Sequence, residues 1–323
     1  MEVDALANVK KPKKKGFKRD GFIHEMKKNW MYYLMALPAI VVAFVISYLP
    51  YPGMIIAFQD FHFVRGIRGS DWVGLDNFRF YFESILFFRT TFNTLFINLL
   101  SLLAVTVTAV TIAIVLNEIR RKKAVRFYQN AIFFPHFLSA VVVAHLLIFV
   151  LFPTQAGAVN RILVALGLER ISWILTPAPW LAIVVTANVW RGMGFASIVY
   201  LATIAGIDEE MYEAAGLDGA GRMRKLYHIT LPMLIPAICM MVLLSIGTVM
   251  FGDFGFIHSI VDPNPMLLPR LDIIETYVFR AIRETVNFGV AAAIGLYQSI
   301  VGFALVVIAN WIAKRFDPDY ALF

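Results

Sequence analysis

Residues able to do covalent chemistry are few in this chain, and their spacing assembles no reaction centre. His24-Glu25 opens the His-Glu-x-x-His pattern that sets two zinc ligands on one helix face, but Lys28 stands where the second histidine is required. His136 and His145 have no acidic or cysteine partner in their stretch and read as packing or interfacial residues, which leaves a membrane-embedded enzyme without a catalytic cluster. Cys239 is the single cysteine, so neither a disulfide framework nor a thiolate metal cluster can be built. No Gly-x-x-x-x-Gly-Lys-Ser/Thr phosphate loop occurs, so the chain supplies no ATP site, and no metal or cofactor is expected. Two features remain. One is Arg191, with Asn188 and Trp190 beside it, near the middle of a long apolar stretch. An arginine at the centre of a membrane helix costs about 2.5–3.5 kcal/mol on insertion scales, so it needs a carboxylate or carbonyl partner, or an aqueous path. The other is a charged, glycine-punctuated island, residues 208–232, between two apolar segments.

That island reads as a docking loop. Asp208 is placed to cap a short helix whose first turn holds Glu209 and Glu210, where the helix dipole favours anions. Gly216 suits the left-handed residue that ends such a helix. Asp218 can cap a second helix through Arg222, Arg224 and Lys225 towards His228, and Pro232 should bias Leu231 away from helical geometry. Two short helices at an angle are the expectation.

The elements that position these groups are membrane helices. Of the 323 residues, 59% are hydrophobic and 16% charged, which predicts an all-α membrane protein. Six stretches, at roughly 33–58, 93–116, 130–152, 180–204, 234–252 and 290–313, are long enough to cross a hydrocarbon core of about 30 Å. The first begins too late and runs too long for a cleavable signal, and Phe22, Ile23, Met26 and Trp30 suit an interfacial helix leading into it. Ala109 with Ala113, and Ala291 with Gly295 and Ser299, set small residues at the four-residue spacing that permits close helix packing. The predicted divisions are a basic tail and interfacial helix (1–32), a first crossing with its outer loop (33–90), a core (91–313) containing the 208–232 loop, and a short C-terminal tail (314–323). A helix over 271–285 is expected in the last outer loop. The lysines (10, 11, 13, 14, 15, 18, 27, 28, 122, 123, 225 and 314) all fall on one side of this six-crossing arrangement. By the positive-inside rule that side, with both termini and the 208–232 loop, is cytoplasmic. The formal net charge of +7 is therefore better matched to anionic lipid headgroups than to nucleic acid. A secondary transporter, the alternative function, would need coupling acids or histidines at mid-membrane, and the stretches are nearly free of acids.

Glu213-Ala214-Ala215, Gly219 after three further residues, then Ile229, Leu231 and Pro232 match without gaps the EAA pattern of ABC importer membrane subunits. YLPYPGMIIAFQDF (48–61), GSDWVGLDNF (69–78), FNTL (92–95), VWRGMGF (189–195) and YLATIAGIDEEMYEAAGLDGA (200–220) extend the similarity over nearly the full length. The chain thus resembles type I ABC importer permeases of the maltose-type carbohydrate class, most of all the oligosaccharide and polysaccharide branch. The resemblance implies a six-helix transmembrane domain with a cytoplasmic EAA coupling loop in the cell membrane. It also implies a second permease subunit in a heterodimer, two ATP-binding cassette ATPases and an extracytoplasmic solute-binding protein. Carried over by position, Asp208, Glu213, Ala214, Ala215, Gly216, Asp218, Gly219, Ala220, Ile229, Leu231 and Pro232 would form the ATPase-coupling site, Glu213 touching the ATPase and Gly219 making the turn. Asn188, Trp190 and Arg191 are the candidates for the path of the sugar, on whose face the Trp190 ring could stack.

Overall fold

The computed structural model describes residues 26–153, 157–318 and 321–322; the basic tail before Met26, with Phe22, Ile23 and His24-Glu25, lies outside them. The chain divides between Met54 and Ile55 into two compact units. The first contains α1 (Trp30–Ser47), an uncharged helix with Pro38 inside it, followed by a turn at Pro50 and Pro52.

The second unit opens with a two-residue antiparallel hairpin, β1 (Gln59–Asp60) and β2 (Asp71–Trp72), joined across α2 (Gly66–Gly69). Then come α3 (Asp76–Phe82), α4 (Ile85–Asn117), α5 (Lys122–Phe133), α6 (Ala140–His145), α7 (Ala158–Ala165), α8 (Trp180–Ala205), α9 (Glu209–Leu217), α10 (Arg222–Lys225), α11 (Leu231–Ile246), α12 (Phe254–Val261), α13 (Leu268–Leu271), α14 (Ile274–Thr285) and α15 (Phe288–Phe316). Helical segments Trp30–Phe58, Ile85–Asn117, Trp180–Ala205, Arg222–Ile246 and Phe288–Phe316 are each long and apolar enough to cross a membrane. The helix expected over 271–285 is present as α14.

The second crossing, expected over 93–116, begins eight residues earlier at Ile85, and two others differ in course. The third, expected over 130–152, is broken: Lys122–Phe137 and Ala140–Leu151 meet at 92°. Pro135 sits in the short 3-10 turn between them, and Ser139 has extended ψ, so the helical ladder cannot run through. The elbow is wedged against α8 at Gly194, where an added Cβ would lie 2.3 Å from the Ile132 carbonyl oxygen. The fifth crossing, expected over 234–252, starts earlier and ends at Ile246. Its start passes through Pro232 because residues Leu226–Thr230 form a turn of π-helix, which relieves the clash between the proline ring and the carbonyl four residues back. Leu231 keeps helical dihedrals, φ −65° and ψ −46°, contrary to the expected break.

Past Ile246 the backbone unwinds, and side chains from other helices meet its polar groups. Asn98 on α4 donates to the carbonyls of Val249 (2.8 Å) and Phe251 (3.1 Å), Gln298 on α15 donates to that of Met250 (2.7 Å), and Glu275 accepts from Gly252 N (2.8 Å). The polar groups freed by the unwinding are thus satisfied within the protein.

Packing is densest between α4 and α8. Ala109 and Ala113 are fully buried against Tyr200, Ile204 and Leu234, as their spacing predicts. In the other small-residue stripe Ala291 is buried, whereas nothing lies within 4 Å of a Cβ at Gly295 and Ser299 is exposed. Near the opposite ends of these helices a second cluster joins Val143, Leu147, Trp173, Trp180, Phe256 and Ile260.

Candidate functional site

The island of residues 208–232 stands at the ends of α4 and α8, and its first helix forms as its sequence requires. Asp208 is extended (ψ 126°) and its Oδ1 accepts from Glu210 N at 3.0 Å, with Glu209 and Glu210 in the first turn. The helix then runs through Gly216 to Leu217, and the left-handed residue is Gly219 (φ +76°), not Gly216. Gly216 serves otherwise: a Cβ there would stand 3.0 Å from Lys225 Nζ, so the glycine leaves a lane for that side chain. Asp218 closes α9, and Gly221 rather than Asp218 precedes α10, which is continuous with the π turn and α11. Instead of two short helices, the loop is one short helix and the foot of a crossing, bent at Gly219.

None of the residues of α9 is buried. Glu213 and Leu217, one turn apart and so on one face, are both exposed, Leu217 at 91%. Met223 and Tyr227 are exposed on the neighbouring segment. Ala214, Ala220 and Pro232 lie at or near the surface, while Ile229 and Leu231 turn partly inward where α11 begins. The result is a presented ridge on which Glu209, Glu213 and Leu217 share a face, with Met223 and Tyr227 beside it, a shape able to seat in a groove.

Near the middle of α8, Asn188, Arg191 and Phe195 share a stripe by their three- and four-residue spacing. Asn188 donates to Ser101 Oγ (3.1 Å) on α4. Arg191 Nη1 donates to Asp253 Oδ2 at 2.8 Å, and the Arg191 Cζ lies 5.4 Å from the Phe256 ring centroid. Asp253 Oδ1 meanwhile caps α12 by accepting from Phe256 N (3.1 Å). The Phe195 ring stacks on His136 at 4.8 Å, with both rings exposed. Trp190 points elsewhere: it lines an apolar cleft of about 480 Å³ with Leu146, Leu147, Leu151 and Ile183.

A third polar assembly has no counterpart among the sequence expectations. Asp272, fully buried, accepts from Arg89 (3.0 Å), Arg280 (2.8 Å) and Thr276 (2.8 Å), and its carbonyl takes Asn93 Nδ2 at 3.1 Å. Beside it, burial pushes the Glu275 carboxyl above the usual carboxylate range, against hydrogen bonds from Gly252 N and Gln298 Nε2. Thr276 and Arg280 follow Asp272 at four and eight positions, a helical signal present in the sequence; Arg89, 183 positions away, gives none.

Residues 109–320 match the family model of the binding-protein-dependent transport system inner membrane component. The chain belongs to this family. Among relatives of the permease, the polygalacturonan/rhamnogalacturonan transport system permease YteP of Bacillus subtilis is 36% identical over 94% of this chain and 93% of its own length. The arabinooligosaccharides permease AraP of the same organism is 28% identical over 89% and 90%. The crystal structure of a bacterial ABC transporter that imports the acidic polysaccharide alginate holds a chain with a TM-score of 0.83 and 31% identity, covering 92% of this permease and 99% of that chain. As a membrane component of such a system, this permease is a transport subunit rather than an enzyme.

Proposed function

We propose that the chain is one of two permease subunits of an ATP-driven importer that carries an oligosaccharide across the cytoplasmic membrane. The observation that carries the reading is kinship over more than nine-tenths of the chain to a permease named for polygalacturonan and rhamnogalacturonan transport. In this reading both termini and the Gly219 bend face the cytoplasm, in line with the lysine distribution. Two ATPase subunits supply the energy that the chain cannot, and an extracytoplasmic binding protein delivers the sugar. The partner permease is a different chain.

The ridge of Glu213 and Leu217 seats in a groove of the ATPase, whose closure on ATP moves α9 as a lever. Asp208, Gly216, Asp218 and Gly219 shape the ridge; Ala214, Ala215 and Ala220 keep its surface low; Ile229, Leu231 and Pro232 join it to the fifth crossing. The sugar passes along the stripe of Asn188, Arg191 and Phe195, where an amide, a guanidinium and an exposed ring offer hydrogen bonds and an apolar face. Alternation between two states follows from differential binding of ATP and loaded binding protein.

Reconstitution of the permease pair, ATPase and binding protein in vesicles tests this: oligosaccharide uptake should require ATP and binding protein together. Uptake driven by an ion gradient with no ATPase present would overturn the reading.

A further inference from the structure

The docking helix α9 is held by very little. An open cleft of about 340 Å³, lined by Ile114, Asn117, Tyr212, Lys225 and Thr230, separates it from α4 and the foot of α11, so close packing does not fix its angle there. The Arg222–Glu118 pair at 3.0 Å spans the same region, but both side chains are more than half exposed and such pairs contribute little. Among the described residues two directed contacts remain. Lys225 Nζ donates to the Tyr212 carbonyl at 2.6 Å, along the lane that Gly216 leaves open. The Tyr212 hydroxyl shares a hydrogen bond with Thr230 Oγ1 at 3.0 Å, and Thr230 is buried in the π turn. Tyr212 immediately precedes Glu213, so one residue of the docking helix is tied at its backbone and at its side chain to two points on the fifth crossing.

We infer that Tyr212, Lys225 and Thr230 are positioning residues that clamp the docking helix to the fifth crossing and set how much of the ATPase's movement reaches the membrane. The inference rests on the docking reading of residues 208–232. Without the clamp the ridge still binds, but α9 swings on the Gly219 bend and the stroke is dissipated. The chemistry of these groups suits a clamp, because a charge-assisted bond to a carbonyl is among the stronger hydrogen bonds and directs the helix more narrowly than apolar contact does.

The test is substrate uptake per ATP hydrolysed in vesicles containing both permeases, the ATPase and the binding protein. Lys225→Met, Tyr212→Phe and Thr230→Val should each retain the ATPase on co-purification and hydrolyse ATP near the wild-type rate. Each should lower uptake per ATP about fivefold, the scale of one lost hydrogen bond. Thr230→Ser, which keeps the hydroxyl, should restore the ratio. A wild-type ratio in both Lys225→Met and Tyr212→Phe overturns the clamp. If Lys225→Met fails to assemble, Tyr212→Phe, which removes a single oxygen, decides by the same ratio. Glu213→Arg in parallel separates the two readings. Undiminished ATPase binding by that variant removes the docking reading itself, whereas lost binding alongside fully coupled clamp variants removes the clamp alone.

Discussion

Substitution of Gly219 separates a requirement for backbone conformation from one for space. The residue has φ +76°, and a Cβ built on it meets no atom of the chain within 4 Å. Any penalty within this chain is therefore conformational. For an L-residue the left-handed region costs about 1–2 kcal/mol, so Gly219→Ala should lower the population of the observed bend about 5–30-fold relative to its alternatives. Where docking needs that bend, the apparent affinity for the ATPase falls with the competent fraction, by up to the same factor. Gly219→Asn should be close to wild type, since asparagine tolerates this region, and Gly219→Val should be worst, being β-branched. The assay is titration of purified ATPase onto the permease complex in nanodiscs, followed by binding-protein-stimulated hydrolysis. Ala equal to wild type would refute the need for the bend. Asn as damaging as Val would mean that the docked partner occupies the space beside Gly219.

Asp272→Asn leaves Arg89 and Arg280 without their carboxylate; breaking a buried ion pair costs about 3–5 kcal/mol, so the detergent-solubilised complex should melt markedly lower, and an unchanged midpoint would show the cluster to be dispensable. Arg191→Gln should reduce uptake while the complex still assembles, whereas loss of the assembled complex would make the Asp253 pair structural only. Because the folded Glu275 carboxyl holds its proton to higher pH than the unfolded one, its contribution is fully present below the unfolded value and is lost as pH rises through the folded value. Glu275→Gln should flatten that decline in melting midpoint, and parallel pH curves for variant and wild type would refute the assignment. In intact cells lacking Cys239, a cysteine at Val64, which is 97% exposed, should react with an impermeant thiol reagent, and one at Gly221 only after permeabilisation; the reverse pattern would invert the orientation.

What the sequence reveals here depends on how local its cause is. The fourth crossing, expected over 180–204 and observed as Trp180–Ala205, follows from an uninterrupted apolar run. Asp208 caps its helix because capping needs only the next two residues. The need of Arg191 for a partner is legible from the cost of burying a charge, but the partner is not, because Asp253 is 62 positions away. The break in the third crossing has a local signal in Pro135, but its 92° elbow packs on Gly194 receiving the Ile132 carbonyl, a contact between helices that no periodicity within either can report. Pro232 reads as a helix breaker until the π turn before it is known. Gly216 and Gly219 are equally good candidates for a left-handed residue by composition, and the lane needed by Lys225 separates their roles.

The Arg89–Asp272 pair links groups 183 positions apart in the chain. At about 5–20 residues per second, a ribosome needs on the order of 10–40 s to make that intervening length. Arg89 therefore reaches the membrane well before its carboxylate exists, and the nascent α4 waits with an unneutralised guanidinium near one of its ends. Chains that stall or terminate before residue 272 never acquire the partner. The interval ends only after Asp272 has left the ribosome and packed against Arg89, so a chain that lacks residue 272 keeps that end of α4 without its carboxylate.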